Sequence, residues 1–261
     1  MKQISQTFAA QTSQIRDHVR LVEELIRFGS QPPTQSLGRT KVGASAVAAH
    51  QIVRSSRQWE AISLEGALLY LAAMFEESVR ETARKLALEV SLKATTYSSL
   101  PQSLRTNNRR AVGEVLRNPD SPRYSHLSLG VILQELTDVE TNGAPPVRLF
   151  NDGLAANERN MRPNEITTIV GRFGVKKLWE GVSNEQALQA YFGSTKADLT
   201  LKATHSKLNA FIDARNAAAH GGSSRTTIGA SVLYDYLDFL DALSTSLATT
   251  LDRWLTTGKA V

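Results

Sequence analysis

The chain has 261 residues, enough for one large helical domain or two smaller ones. With 41% hydrophobic and 21% charged residues it can bury a core and is not a disordered chain; without cysteine it has no disulfide framework, thiolate metal site or cysteine nucleophile. A net charge of +5 is compatible with a polyanionic partner such as RNA but does not require one.

The first twenty residues hold no apolar run of signal-peptide type, and no window approaches the roughly 18 apolar residues of a membrane span. A cytoplasmic protein with no membrane partner is expected. From Gln6 to Phe28, Phe8, Ile15, Val19, Val22 and Ile26 recur at helical spacing. Gly29–Arg39 should break that helix with two prolines and two glycines, and a second helix is expected over Val42–Arg57. The strongest periodicity follows. Leu64, Leu68, Leu71, Phe75, Val79, Leu86 and Val90 form one seam, which predicts a long helix over Trp59–Leu92.

The middle is less regular. Arg105, Arg109, Arg110, Arg117 and Arg123 face only Glu114 and Asp120, and Thr141–Gly153 reads as a loop. Asn164 can cap a short helix, Glu165 suits its first turn and Gly174 can end it. Another helix is expected over Glu185–Phe192. Asp198–His220 follows with Leu201, Leu208, Phe211 and Ile212 as its apolar side, and Gly221 and Gly222 suit its terminal turn. The last, Ile228–Thr256, carries the stripe Val232, Tyr236, Leu240, Leu243, Leu247, Leu251 and Trp254. No alternating strand pattern occurs. The expected fold is an all-α helical bundle with irregular insertions in the middle, the helices of 1–58 packing on a domain at 59–261.

One stretch stands out: "FIDARNAAAHGG", Phe211–Gly222. Asn216 and His220 are four residues apart and share a helix face. Arg215 and His220, five apart, diverge by about 140°. One helix does not aim both at a point unaided, whereas two copies of the helix across a two-fold axis could bring two such sets around one cleft. His205 and Asn209 fall almost in line with Asn216 and His220. A structural reading stands beside this one. Basic residues in a last turn offset the helix dipole, and alanines are good helix formers.

The surrounding residues carry a resemblance. "RNAAAH" fits the R-x4-H pattern of HEPN domains, and "SKLNAFIDARNAAAHGG" resembles the core around that motif. "LAAMFEESVRETARKLA" is similar to the acidic helix of those domains, with Glu76 the best match to its glutamate. "NMRPNEITTIVGRFGVKKLW" and "YDYLDFLDALSTSLATTL" resemble a larger HEPN group linked with ribonuclease and defence systems. No tyrosine follows His220 by two residues, which departs from the nucleotidyltransferase-paired subtype. The likeness runs from about Trp59 to the end of the sequence.

This resemblance implies a metal-independent endoribonuclease acting as a homodimer, with no cofactor. RNA cleavage without metal needs a base for the ribose 2′-hydroxyl, an acid for the departing 5′-oxygen and positive charge at the phosphorane. Imidazole suits the proton transfers and a guanidinium suits the phosphate. On this reading His220 and Arg215 are catalytic, Asn216 orients the imidazole or bonds a phosphate oxygen, and Glu76 and His205 support them. Arg105, Arg109 and Arg110 are candidate RNA contacts, or a solvated basic surface. The expected role is a toxin or antiviral (phage) defence effector, held in check by an antitoxin or regulatory partner. The alternative is a catalytically inactive HEPN-like module that binds RNA or protein. Isolated His18, His50 and His126 read as structural or exposed, Glu76–Arg80 as an ordinary helical pair, and Tyr234, Tyr236 and Trp254 as core. Ser223 and Ser224 lack the partners of a triad. The sequence has no P-loop, dinucleotide fingerprint, HExxH or GxSxG.

Overall fold

Apolar residues at helical spacing become helices throughout the computed structural model, which describes residues 1–30, 41–55, 57–120, 128–141, 147–156, 159–220 and 228–257. Eleven α-helices and no strand occur among the described residues. They are α1 (Lys2–Ser30), α2 (Lys41–Ser55), α3 (Arg57–Lys93), α4 (Gln102–Arg117), α5 (Leu129–Thr141) and α6 (Asn151–Ala155), then α7 (Pro163–Gly171), α8 (Leu178–Ser183), α9 (Gln186–Phe192), α10 (Ala197–His220) and α11 (Ala230–Thr257). Of the break expected over Gly29–Arg39, Gly29 and Ser30 still belong to α1, and the rest lies outside the described residues, as do the stop at Gly221 and Gly222, His126, and Ser223 and Ser224.

The chain divides into two compact units. One comprises residues 7–75 and 210–241 and holds most of α1, all of α2, the first half of α3, the end of α10 and the first half of α11. Its core is built on four aromatic rings in edge-to-face sequence. Phe8 of α1 meets Phe75 of α3 at 6.2 Å, Phe75 meets Phe211 of α10 at 6.4 Å, and Phe211 meets Tyr236 of α11 at 5.2 Å. All four are buried, and removing each phenylalanine ring from water is worth about 1.5–3 kcal/mol. Edge-to-face geometry sets the positive ring edge against the negative face of its neighbour.

A polar seam lies beside that core. Arg16 Nη2 of α1 contacts Asp238 Oδ1 at 2.7 Å and Asp241 Oδ2 at 3.0 Å. Thr12 donates its hydroxyl to Asp241 Oδ1 at 2.7 Å, and Tyr234 donates to Glu23 Oε2 at 3.0 Å. At the other end of α1, a Cβ on Gly29 would stand 2.7 Å from Val53 Cγ1 of α2, so the two helices approach more closely there than a side chain allows. His50 is buried with its ring 5.5 Å from Phe28, while His18 is exposed.

The other unit comprises residues 1–6, 76–209 and 242–261. Here the supposedly irregular middle contains α4 and α5, which the spacing did not predict. The buried face of α4 is Leu104, Asn108, Val112 and Val115. Asn108 interrupts the apolar pattern but is satisfied: its Nδ2 lies 3.4 Å from the Tyr97 hydroxyl, and its Oδ1 accepts from Phe150 N at 2.8 Å. Val112 and Val115 pack with Ile132 of α5 and with Phe150. The short α6 falls in the expected loop; a Cβ on its Gly153 would lie 2.9 Å from Ala111 Cβ and closer still to the Phe150 ring.

Asn164 is not the cap of α7. Pro163 occupies the first turn, where its missing N–H costs nothing, and Arg162 precedes it without a side-chain cap. Glu165 does sit in the first turn, and Gly174 takes φ +88° just beyond a run of tightened turns. On α11, Val232 is exposed, and the buried face shifts to Leu233, Tyr236, Leu237 and Leu240.

Candidate active site

The end of α10 leaves the core abruptly. Phe211 and Ile212 are fully buried, whereas Asp213 is exposed, Arg215 and Asn216 are half-buried, and Ala217, Ala219 and His220 are exposed. Full burial therefore stops at Ile212, and the alanines beyond it, of which Ala214 and Ala218 are half-buried, favour the helix by propensity. His220 is the last helical residue. Arg215 Nη1 donates to Asn216 Oδ1 at 3.1 Å, so the amide holds one edge of the guanidinium. The planar fork of a guanidinium matches the geometry of phosphate oxygens. Arg215, Asn216 and His220 all belong to the unit of residues 7–75 and 210–241.

A neighbour that sequence spacing marks only as core is Tyr236. Burial pushes its hydroxyl pKa up, and the nearby carboxylates of Asp235 and Asp213 push it further. Acidic groups from α10 and α11 thus border the same helix end. The available signal was Asp213 itself, which shares a helix face with Asn216 and His220.

The other candidates lie in the second unit. Glu76 is half-buried on α3, with Arg80 Nη1 3.9 Å away. His205 is half-buried with its ring edge-on to Trp179 at 4.8 Å, and its Nε2 is buried without a hydrogen-bond partner among the described residues. Burial pushes its imidazole below the ordinary range, so the neutral ring is favoured there. Asn209 Oδ1 accepts from Arg162 at 3.1 Å.

The three candidate RNA contacts have different fates. Arg109 makes two hydrogen bonds of 2.6 Å to the Glu140 carboxylate. Arg105 is half-buried with its Nε shielded, and Arg110 is exposed. No helix of the described residues is long and apolar enough to cross a membrane.

An all-α bundle whose late helix closes on Arg215-Asn216-x-x-x-His220 is of the HEPN type. A family model described as RiboL-PSP-HEPN matches residues 48–253, more than half of the chain and all of the motif, and the chain belongs to that family. No curated protein and no solved structure matches it. HEPN domains often have ribonuclease activity.

Proposed function

We propose that the protein is a metal-independent endoribonuclease whose site combines Arg215 and His220 from two copies of α10. The observation that carries this reading is the end of α10 itself: a half-buried arginine braced by its neighbouring amide, one turn before an exposed histidine. In the proposed reaction an imidazole takes the proton of the ribose 2′-hydroxyl, and that oxygen attacks phosphorus. The bond to the 5′-oxygen breaks as an imidazolium returns a proton to it. The products are a 2′,3′-cyclic phosphate and a free 5′-hydroxyl. Arg215 offsets the charge on the equatorial oxygens. One histidine per motif supplies one proton-transfer group, so the second comes from a second copy. Such an activity endangers its host unless controlled, which fits a toxin or phage-defence effector with an antitoxin or regulatory partner.

The test is RNA cleavage by the purified protein in EDTA, beside Arg215→Ala and His220→Ala. Each variant should lose about 10²- to 10⁴-fold in rate while keeping its helical circular dichroism. Wild-type activity should fall on dilution in step with dimer dissociation. Variants that cut like wild type would remove these residues from the mechanism. RNA binding by wild-type protein without cleavage would favour the inactive binding module.

A further inference from the structure

The first helix lies outside the family match, which begins at residue 48. Several of its contacts nevertheless reach the segment of α11 whose Tyr236 packs on Phe211 of α10. We propose that Arg16 is a positioning residue for Arg215: the α1–α11 polar seam holds Tyr236 against Phe211 and so fixes the helix end that carries the guanidinium. The catalytic half of this proposal rests on the ribonuclease reading, whereas its mechanical half does not.

The coupling has three links, all within one compact unit. First, the ties from α1 reach Tyr234, Asp238 and Asp241, which bracket Tyr236 on both sides. Second, the Tyr236 ring lies edge-on to Phe211 at 5.2 Å. Third, Phe211 is four residues before Arg215 on one face of α10, so a shift of that ring moves the guanidinium with it. Phe211 and Ile212 are the last fully buried large side chains of α10.

Energetics separate this from a simple stabilising ion pair. Burial would lower the Arg16 pKa, but the hydrogen bond it donates to Asp241 and the charge of Asp238 outweigh that and hold its guanidinium charged. At Asp241 the balance reverses: burial exceeds the help of Thr12 and Arg16, and its carboxyl is pushed up.

The experiment uses the full chain with Arg16→Met, which keeps the stem and removes the charge, and Arg16→Lys, which restores it. Arg16→Met should lower kcat roughly 10- to 100-fold with KM nearly unchanged, since misplacing a reacting group acts on the chemical step. Amide exchange at 212–220 should accelerate while that of α4 does not change. Arg16→Lys should recover most of both. Unchanged exchange at 212–220 in Arg16→Met overturns the proposal, as does a change spread equally over α4. If wild-type protein cuts no RNA, the ribonuclease reading fails and the exchange data alone decide the coupling. If Arg16→Met does not fold, Asp241→Asn replaces it: faster exchange confined to 212–220 supports the coupling, and unchanged or uniform exchange overturns it.

Discussion

Under the ribonuclease proposal Arg215 holds the scissile phosphate, and its contact with Asn216 makes a specific demand. The guanidinium presents donors in a fixed plane, and one edge is occupied by the amide. Lysine would keep the charge but lose the plane. Arg215→Lys should therefore retain RNA binding while kcat falls about 10²- to 10³-fold, the scale of losing one donor to a developing oxyanion, as single-turnover cleavage would measure. The residues at 215, 216 and 220 were legible in the sequence because they fit the R-x4-H pattern, with Asn216 and His220 on one helix face. Tyr236 was not, because a tyrosine in a heptad stripe looks the same whether it fills a core or braces a neighbour. Arg109 shows the converse. Its charge was plain, but its commitment to Glu140 on α5 was not, since the sequence separation hid the partner.

At the scale of elements, the long helices α1, α3, α10 and α11 were readable because their apolar seams persist over many turns. α4 escaped notice because its seam contains Asn108, whose value to the fold depends on Tyr97 and Phe150, residues that local spacing does not connect. The aromatic series gives a sharper test of how helices cooperate. Phe75 has no exposure and touches rings on both α1 and α10. Phe75→Ala should cost about 3–5 kcal/mol, read as a lowered urea midpoint. Leu88, a large apolar residue on the same helix that is 41% exposed, should be replaceable by alanine with little effect on that midpoint.

For the whole molecule, acid should act oppositely on the two units. Hydrogen bonds from Arg109 hold the Glu140 carboxyl below its ordinary range. At Glu77, burial alone would raise the carboxyl, but hydrogen bonds from Arg84 and Arg80 outweigh it and hold it down. Carboxyls depressed in this way stabilise the fold above their unfolded pKa of 4.5, and that contribution disappears as pH falls through the lower folded value. Asp241 has the reverse sign. Its contribution is complete below the unfolded value of 3.8 and is lost as pH rises through the folded one. Amide exchange followed from pH 6 down to about 3 should therefore loosen α4 and α5 before the α1–α11 seam. Arg109→Ala should remove much of the acid response of α5. Uniform loosening would contradict this division.

The seam also has a consequence in time. Thr12 and Asp241 are 229 positions apart, so the seam is a contact of high sequence separation that cannot close before both helices exist. A growing chain has α1 early, but its Arg16 meets Asp238 and Asp241 only when α11 emerges. Under the ribonuclease proposal, the brace on the helix end that carries Arg215 is therefore completed only after α11 has been made.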